Sequence, residues 1–85
     1  MSSRLPDCPL TAMRSFLDSI GWHPCSVPLE NSEYWFDKDN FNYVYFPYGK
    51  DPIPFVIITL IVQELNKVDN KLNIWSIPFY KERAN

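Results

Sequence analysis

Glycine, cysteine and histidine are scarce in these 85 residues: two, two and one respectively. Each shortage excludes something. The glycines stand apart at Gly21 and Gly49, so no glycine-rich loop can cradle a phosphate. A secreted domain of this size usually carries four or more cysteines, so Cys8 and Cys25 read as reduced thiols of a cytoplasmic protein. The longest apolar stretch, residues 53 to 62, is interrupted by Pro54 and Thr59. It falls far short of the roughly 18 to 20 residues that cross a bilayer. Residues 1 to 7 lack the apolar run, about 7 to 15 residues long, of a signal peptide. Positive charge is short as well, with 8 Lys and Arg against 10 Asp and Glu for a net −2, whereas a nucleic-acid binder typically carries a basic face.

Apolar and aromatic side chains, by contrast, are plentiful. Hydrophobic residues make up 46% and aromatics 16%, the composition of a chain that folds. The length fits one domain, 1–85, with its core over about 9–80. A chain this short buries only about 60 to 65% of its unfolded surface, so most large apolar side chains are needed for stability. Eight prolines predict short elements joined by stiff corners, and there are no internal repeats.

Leu10, Met13, Phe16, Leu17 and Ile20 fall at helical spacing after Pro9, which predicts a helix over residues 9 to 20. Gly21 then suits a left-handed C-cap, with Trp22 folding back on the last turn. Between Trp22 and Leu29, Pro24 and Pro28 cannot donate to a ladder, so this segment reads as an edge strand or extended arm. Tyr34 to Phe36 and Phe41 to Phe46 are aromatic and β-branched around the polar Asp37-Lys38-Asp39-Asn40, which predicts a β-hairpin. Alternation puts Val44 and Phe46 on the core face and Tyr43 and Tyr45 on the outer one. Asp51-Pro52 reads as an N-cap and first-turn proline. Phe55, Ile58, Val62 and Leu65 then follow at helical spacing, predicting a helix over 52 to 67, with a buried strand as the competing reading because of the many β-branched residues. Trp75, Ile77 and Phe79 alternate in residues 72 to 80, which predicts a closing strand. The fold class is therefore α+β, two helices on a small antiparallel sheet in the order α-β-β-β-α-β.

From Phe16-Leu17-Asp18-Ser19-Ile20-Gly21-Trp22, through Asn31-Ser32-Glu33-Tyr34-Trp35-Phe36, to Val44-Tyr45-Phe46-Pro47-Tyr48-Gly49-Lys50, the chain resembles the HicA family of small toxins. The resemblance covers roughly residues 10 to 66. It implies a fold like that of double-stranded-RNA-binding domains and, in the family, RNA cleavage by the histidine of a Gly-Ser-His strand start. The aligned triplet here is Asn31-Ser32-Glu33, which has no histidine.

Other candidate sites are sparse. His23 and Cys25 have ligand-like spacing, but a zinc site needs four ligands, or three plus water. No metal or cofactor is expected. His23 is the sole imidazole that could activate Cys25, Cys8 or Ser26. Asp37, Asp39 and Asn40 superficially resemble a calcium loop, yet Phe41 stands where oxygen is required, so a solvated turn is expected. Glu30, Glu33 and Asp37 could supply carboxylates for acid/base work, with ordinary surface charge as the simpler reading.

Eight of the fifteen residues from Tyr34 to Tyr48 are aromatic, more than one covered sheet face can bury. Between Glu30 and Tyr48, Glu30, Glu33, Asp37 and Asp39 against the single Lys38 give a net −3, which repels phosphate and favours a protein partner, or a second copy of this chain. The expected function is a small non-catalytic binding domain of inhibitor or regulator type, contacting its partner through Tyr34, Trp35, Tyr43, Tyr45 and Tyr48. The alternatives are a toxin of a toxin–antitoxin system that uses His23, Ser32 or Glu33 in place of the missing histidine, and an inactive RNA-binding relative.

Overall fold

The computed structural model describes residues 5–26 and 29–83. Val27 and Pro28, part of the arm expected between Trp22 and Leu29, lie outside them. Helix α1 spans Leu10–Ser19 and buries Leu10, Met13, Phe16 and Leu17. It ends as expected. Gly21 has φ +88°, the Trp22 N–H donates to the Leu17 carbonyl at 3.0 Å and the Gly21 N–H to Asp18 at 3.1 Å. This is a Schellman motif, which a residue bearing Cβ would strain at position 21.

Three antiparallel strands follow in spatial order β1-β2-β3: β1 His23–Pro24, β2 Ser32–Phe36 and β3 Tyr43–Pro47. The short β1 meets its end at Pro24, which has no N–H for the ladder. Leu29 and Ser32 exchange backbone hydrogen bonds of 3.0 and 2.8 Å around Glu30 and Asn31, whose φ values of 51° and 62° are those of a two-residue primed turn. The β2–β3 hairpin pairs Tyr34 with Tyr45 and Trp35 with Val44. Its turn is held by Asp37, whose carboxylate accepts the Phe41 N–H at 2.9 Å and the Asn42 side-chain amide at 2.8 Å. Phe41 therefore belongs to the turn, and β3 starts two residues later than the sequence suggests.

Helix α2, Phe55–Val68, buries Ile58, Ile61 and Leu65, so the helical reading holds over the strand reading. Its start differs from expectation. Pro52 and Pro54 lack N–H groups, and a residue before proline is driven to extended backbone, so the helix begins only after Pro54. Asp51 does cap a helix, but it is α1: its Oδ1 accepts the Leu10 N–H at 3.0 Å. Asp7 reciprocates, its Oδ1 accepting the Phe55 N–H at 2.8 Å. Between the two caps, Cys8 and Ile53 exchange backbone hydrogen bonds of 3.0 and 2.7 Å. Both helix starts are thus tied at one point.

The closing strand expected at 72 to 80 is absent. Residues Ile74–Ser76 form a 3-10 turn and Pro78–Lys81 a short helix, α3. The Asn73 side chain accepts the Trp75 N–H at 2.8 Å, and the Asn73 N–H donates to Ser76 Oγ at 3.0 Å. That reciprocal box starts a helical turn, and Pro78 is then well placed at the first position of α3. Ile77 and Tyr80, three apart, are fully buried while Trp75 is exposed, so the spacing that matters is helical. The Tyr80 hydroxyl donates to the Pro6 carbonyl at 2.7 Å, anchoring the C-terminal turns to the N-terminal segment. Three helices and a three-stranded antiparallel sheet make a small α+β protein.

Candidate functional site

Strand alternation divides the sheet into two unlike faces. Trp35, Val44 and Phe46 are all buried on the inner one and join the core shared with the helices. Trp35 was expected to stand beside Tyr34 in the binding surface; consecutive strand residues point to opposite faces, and Trp35 belongs to the core. With it goes Glu33, whose Oε2 accepts Trp35 Nε1 at 2.7 Å. Arg14 of α1 grips the same carboxylate, Nη2 to Oε1 at 2.7 Å and Nε to Oε2 at 3.0 Å. Burial pushes the Glu33 carboxyl up, but the Arg14 and Trp35 hydrogen bonds and the Arg14 charge outweigh it and hold the group below its ordinary value.

On the outer face the side chains of Tyr34, Phe36, Tyr43 and Tyr45 meet His23 of β1 in one continuous cluster. Ring centroids lie 5.2 Å apart for Tyr34 and Tyr45, nearly parallel, 5.7 Å for Tyr34 and Tyr43, and 6.1 Å for both Phe36–Tyr43 and His23–Phe36. These are the separations of favourable aromatic contacts. Among the described residues no helix covers them. Tyr43 and Tyr45 are 49% and 54% exposed, as the alternation requires. Tyr48 is also exposed but shares the parity of Val44 and Phe46, lies beyond the strand, and does not join the cluster. His23 and Phe36 join it without having been singled out as binding residues. For Phe36 the signal was available, since it lies two residues after Tyr34. Phe41, 85% exposed, projects from the hairpin turn.

A shallow hollow of about 360 Å³ opens on this face, lined by Leu29, Glu30, Tyr34, Phe36 and Tyr43. The Tyr34 hydroxyl is held above its ordinary pKa by burial, by the Glu30 carboxylate and by the neighbouring tyrosines. A second hollow of about 350 Å³ is lined by His23, Pro24, Cys25, Ser26, Phe36 and Asn40. At the sheet's free edge, a groove of about 360 Å³ runs between Tyr43–Tyr45 of β3 and Ile57, Leu60 and Gln63 of α2.

The alternative catalytic residues are not assembled. Glu33 is on the inner face in its ion pair, whereas Ser32 shares the parity of Tyr34 and lies on the outer one. His23 pairs with Phe36, four residues along β2 from Ser32, which is about 13 Å at the rise of a strand. Nor do the carboxylates converge: Glu33 bonds Arg14 and Trp35, Asp37 closes the hairpin turn, and Glu30 stands at the rim of the aromatic face. His23 and Cys25 border one hollow, but among the described residues no three His, Cys, Asp or Glu come together as a metal site. Both cysteines are free thiols. Burial pushes the Cys8 thiol up to about 11 against the opposing charge of Arg83, so it stays protonated at neutral pH. Among the described residues no helix is long and apolar enough to cross a membrane. Set against known proteins, the chain matches no family model, no curated protein and no solved structure.

Proposed function

We propose that this protein is a small non-catalytic binding domain that docks on another protein through the aromatic outer face of its hairpin, as an inhibitor or regulator. The observation that carries the reading is the uncovered cluster of Tyr34, Phe36, Tyr43, Tyr45 and His23, in a domain whose core is already complete on the other side of the sheet. Tyrosines that are apolar in body and polar at the tip tolerate water when free and supply large rigid contacts when docked. The same rings could stack nucleic-acid bases, but a single-strand platform also needs cations along the phosphate path, and the stretch from Glu30 to Tyr48 has only Lys38. The order α1-β1-β2-β3-α2 agrees with what the resemblance to the HicA family implies. With Glu33 in the family histidine's place and committed to Arg14, the reading is a binding relative and not a nuclease.

The test is to pan a random 12-residue peptide display library against the immobilised protein. Enriched peptides should lose about thirtyfold in affinity, equivalent to about 2 kcal/mol, on Tyr45→Ala or Tyr43→Ala at a melting temperature close to wild type. Peptides that bind both variants as tightly as wild type would place docking elsewhere. Steeply salt-dependent binding of single-stranded RNA would favour the RNA-binding alternative.

A further inference from the structure

The hollow under Glu30 has a chemical bias that the rest of the aromatic face lacks. Tyr34, Phe36 and Tyr43 line it with aromatic rings, whose faces carry the negative end of the aromatic quadrupole, and Glu30 adds a full negative charge. No lysine or arginine lines the hollow. The chain's described arginines are used elsewhere: Arg14 holds Glu33, and Arg83 lies 3.8 Å over the Phe79 ring and donates to the Phe79 carbonyl. Glu30 itself is exposed, accepts no hydrogen bond among the described residues, and sits at φ 51°. That backbone suits glycine or asparagine, as at the neighbouring Asn31, and disfavours glutamate. Its charge is therefore neither neutralised by the fold nor explained by the turn.

We infer that the protein partner's docking segment carries an arginine, whose guanidinium lies on the rings of Tyr34, Phe36 and Tyr43 and pairs with the Glu30 carboxylate. This rests on the docking reading and specifies the partner's chemistry. Arginine fits better than other cations because a shallow, open hollow accepts a flat group: the guanidinium stacks on ring faces and presents a fork that matches a carboxylate. Lysine's compact ammonium keeps its water more tightly, and a trimethylated ammonium prefers to be surrounded by rings.

The experiment titrates the full-length, nitrogen-15-labelled chain with the peptide acetyl-Gly-Ser-Arg-Gly-Ser-amide, and in parallel with versions carrying citrulline, lysine or trimethyllysine at the centre. Saturable amide shifts are expected at residues 29 to 36 and at Tyr43. Citrulline, the neutral isostere, should bind at least tenfold more weakly, and Glu30→Gln should weaken the arginine peptide at least fivefold with no change in melting temperature. Raising NaCl from 0.05 to 0.5 M, with a shorter screening length, should weaken it further. Equal affinity for arginine and citrulline, full binding to Glu30→Gln, preference for lysine or trimethyllysine, or no saturable shift with any peptide would each overturn the inference. The display library separates the two claims: enriched peptides that depend on Tyr45 but show no arginine would leave docking standing and remove the arginine site. Peptides indifferent to the tyrosines would remove both.

Discussion

Glu33 is where a functional and a structural role diverge most sharply, and Glu33→Gln tests the difference. In the fold its carboxylate, with 11% of the side chain exposed, accepts from Arg14 and from Trp35 Nε1. A hydrogen bond to a charged group contributes about 1.5–3 kcal/mol, against about 1 kcal/mol for a neutral one. Glutamine keeps one acceptor oxygen but not the charge. Losing one partner of a fully buried pair costs about 3–5 kcal/mol, but Arg14 is 41% exposed and recovers water, so that figure is a ceiling. The expected cost is about 2 kcal/mol. For a domain of this size that lowers Tm by about 8–16 °C, at about 4–8 °C per kcal/mol. Arg14→Met should cost more than Glu33→Gln, because it leaves the more deeply buried partner charged. Thermal melts by circular dichroism, completed to a double-mutant cycle, measure both. A Glu33→Gln variant melting within 2 °C of wild type, or a cycle with no coupling, would refute the assignment of Glu33 to the core and reopen its candidacy for chemistry.

Acid should expose the same group. A carboxyl whose pKa is lowered in the fold contributes stability that is present in full above its ordinary value, here 4.5 for Glu33 and 3.8 for the turn-bonded Asp37, and that is lost as pH falls through the lowered values. Tm should thus be level from pH 7 to pH 5 and drop below pH 4.5, less steeply in Glu33→Gln. Asp7→Ala and Asp51→Ala should each cost about 1 kcal/mol in denaturant titrations, the ordinary cost of a lost N-cap, with the asparagine variants recovering most of it through an amide oxygen. A thiol-reactive disulfide reagent should label Cys25 in the native protein and reach Cys8 only on unfolding; rapid labelling of both would contradict the burial of Cys8 at 0% exposure.

Features coded within a few residues were legible in the sequence. The Gly21-Trp22 corner is local chemistry, and the alternation from Tyr43 to Phe46 assigned each of those side chains to its correct face. The second helix was legible because Phe55, Ile58, Val62 and Leu65 keep a helical period that the β-branched residues do not erase, although the buried positions are Ile58, Ile61 and Leu65. Long-range pairings were not. Asp51 reaches Leu10 across 41 residues and Asp7 reaches Phe55 across 48, and nothing near either aspartate indicates that each serves the other's helix. Arg14 and Glu33 meet across 19 residues for the same reason. The C-terminal segment is a different kind of error. There the alternation of Trp75, Ile77 and Phe79 imitated a strand, while Asn73, Ser76 and Pro78 already carried the signature of helical turns.

The uneven treatment of the two sheet faces follows from how few helical residues the chain has to cover them. Helices α1 and α2 start at the tie made by Cys8 and Ile53, and they and α3 pack with the inner strand residues into one core. Among the described residues no element remains for the other side. A face left open to water could have been made of threonine and lysine, as exposed sheet surfaces and sheet edges often are. Here it carries rings. Tyr43 and Tyr45, the most exposed of the strand rings, have hydroxyls to satisfy water, whereas Phe36, which has none, is half-buried between His23 and Tyr43. Such a face is stable enough alone to keep the domain folded and apolar enough to gain from being covered. On the proposed docking reading, that is what a surface that binds and releases requires, and alternation in a five-residue strand would then serve binding as well as packing.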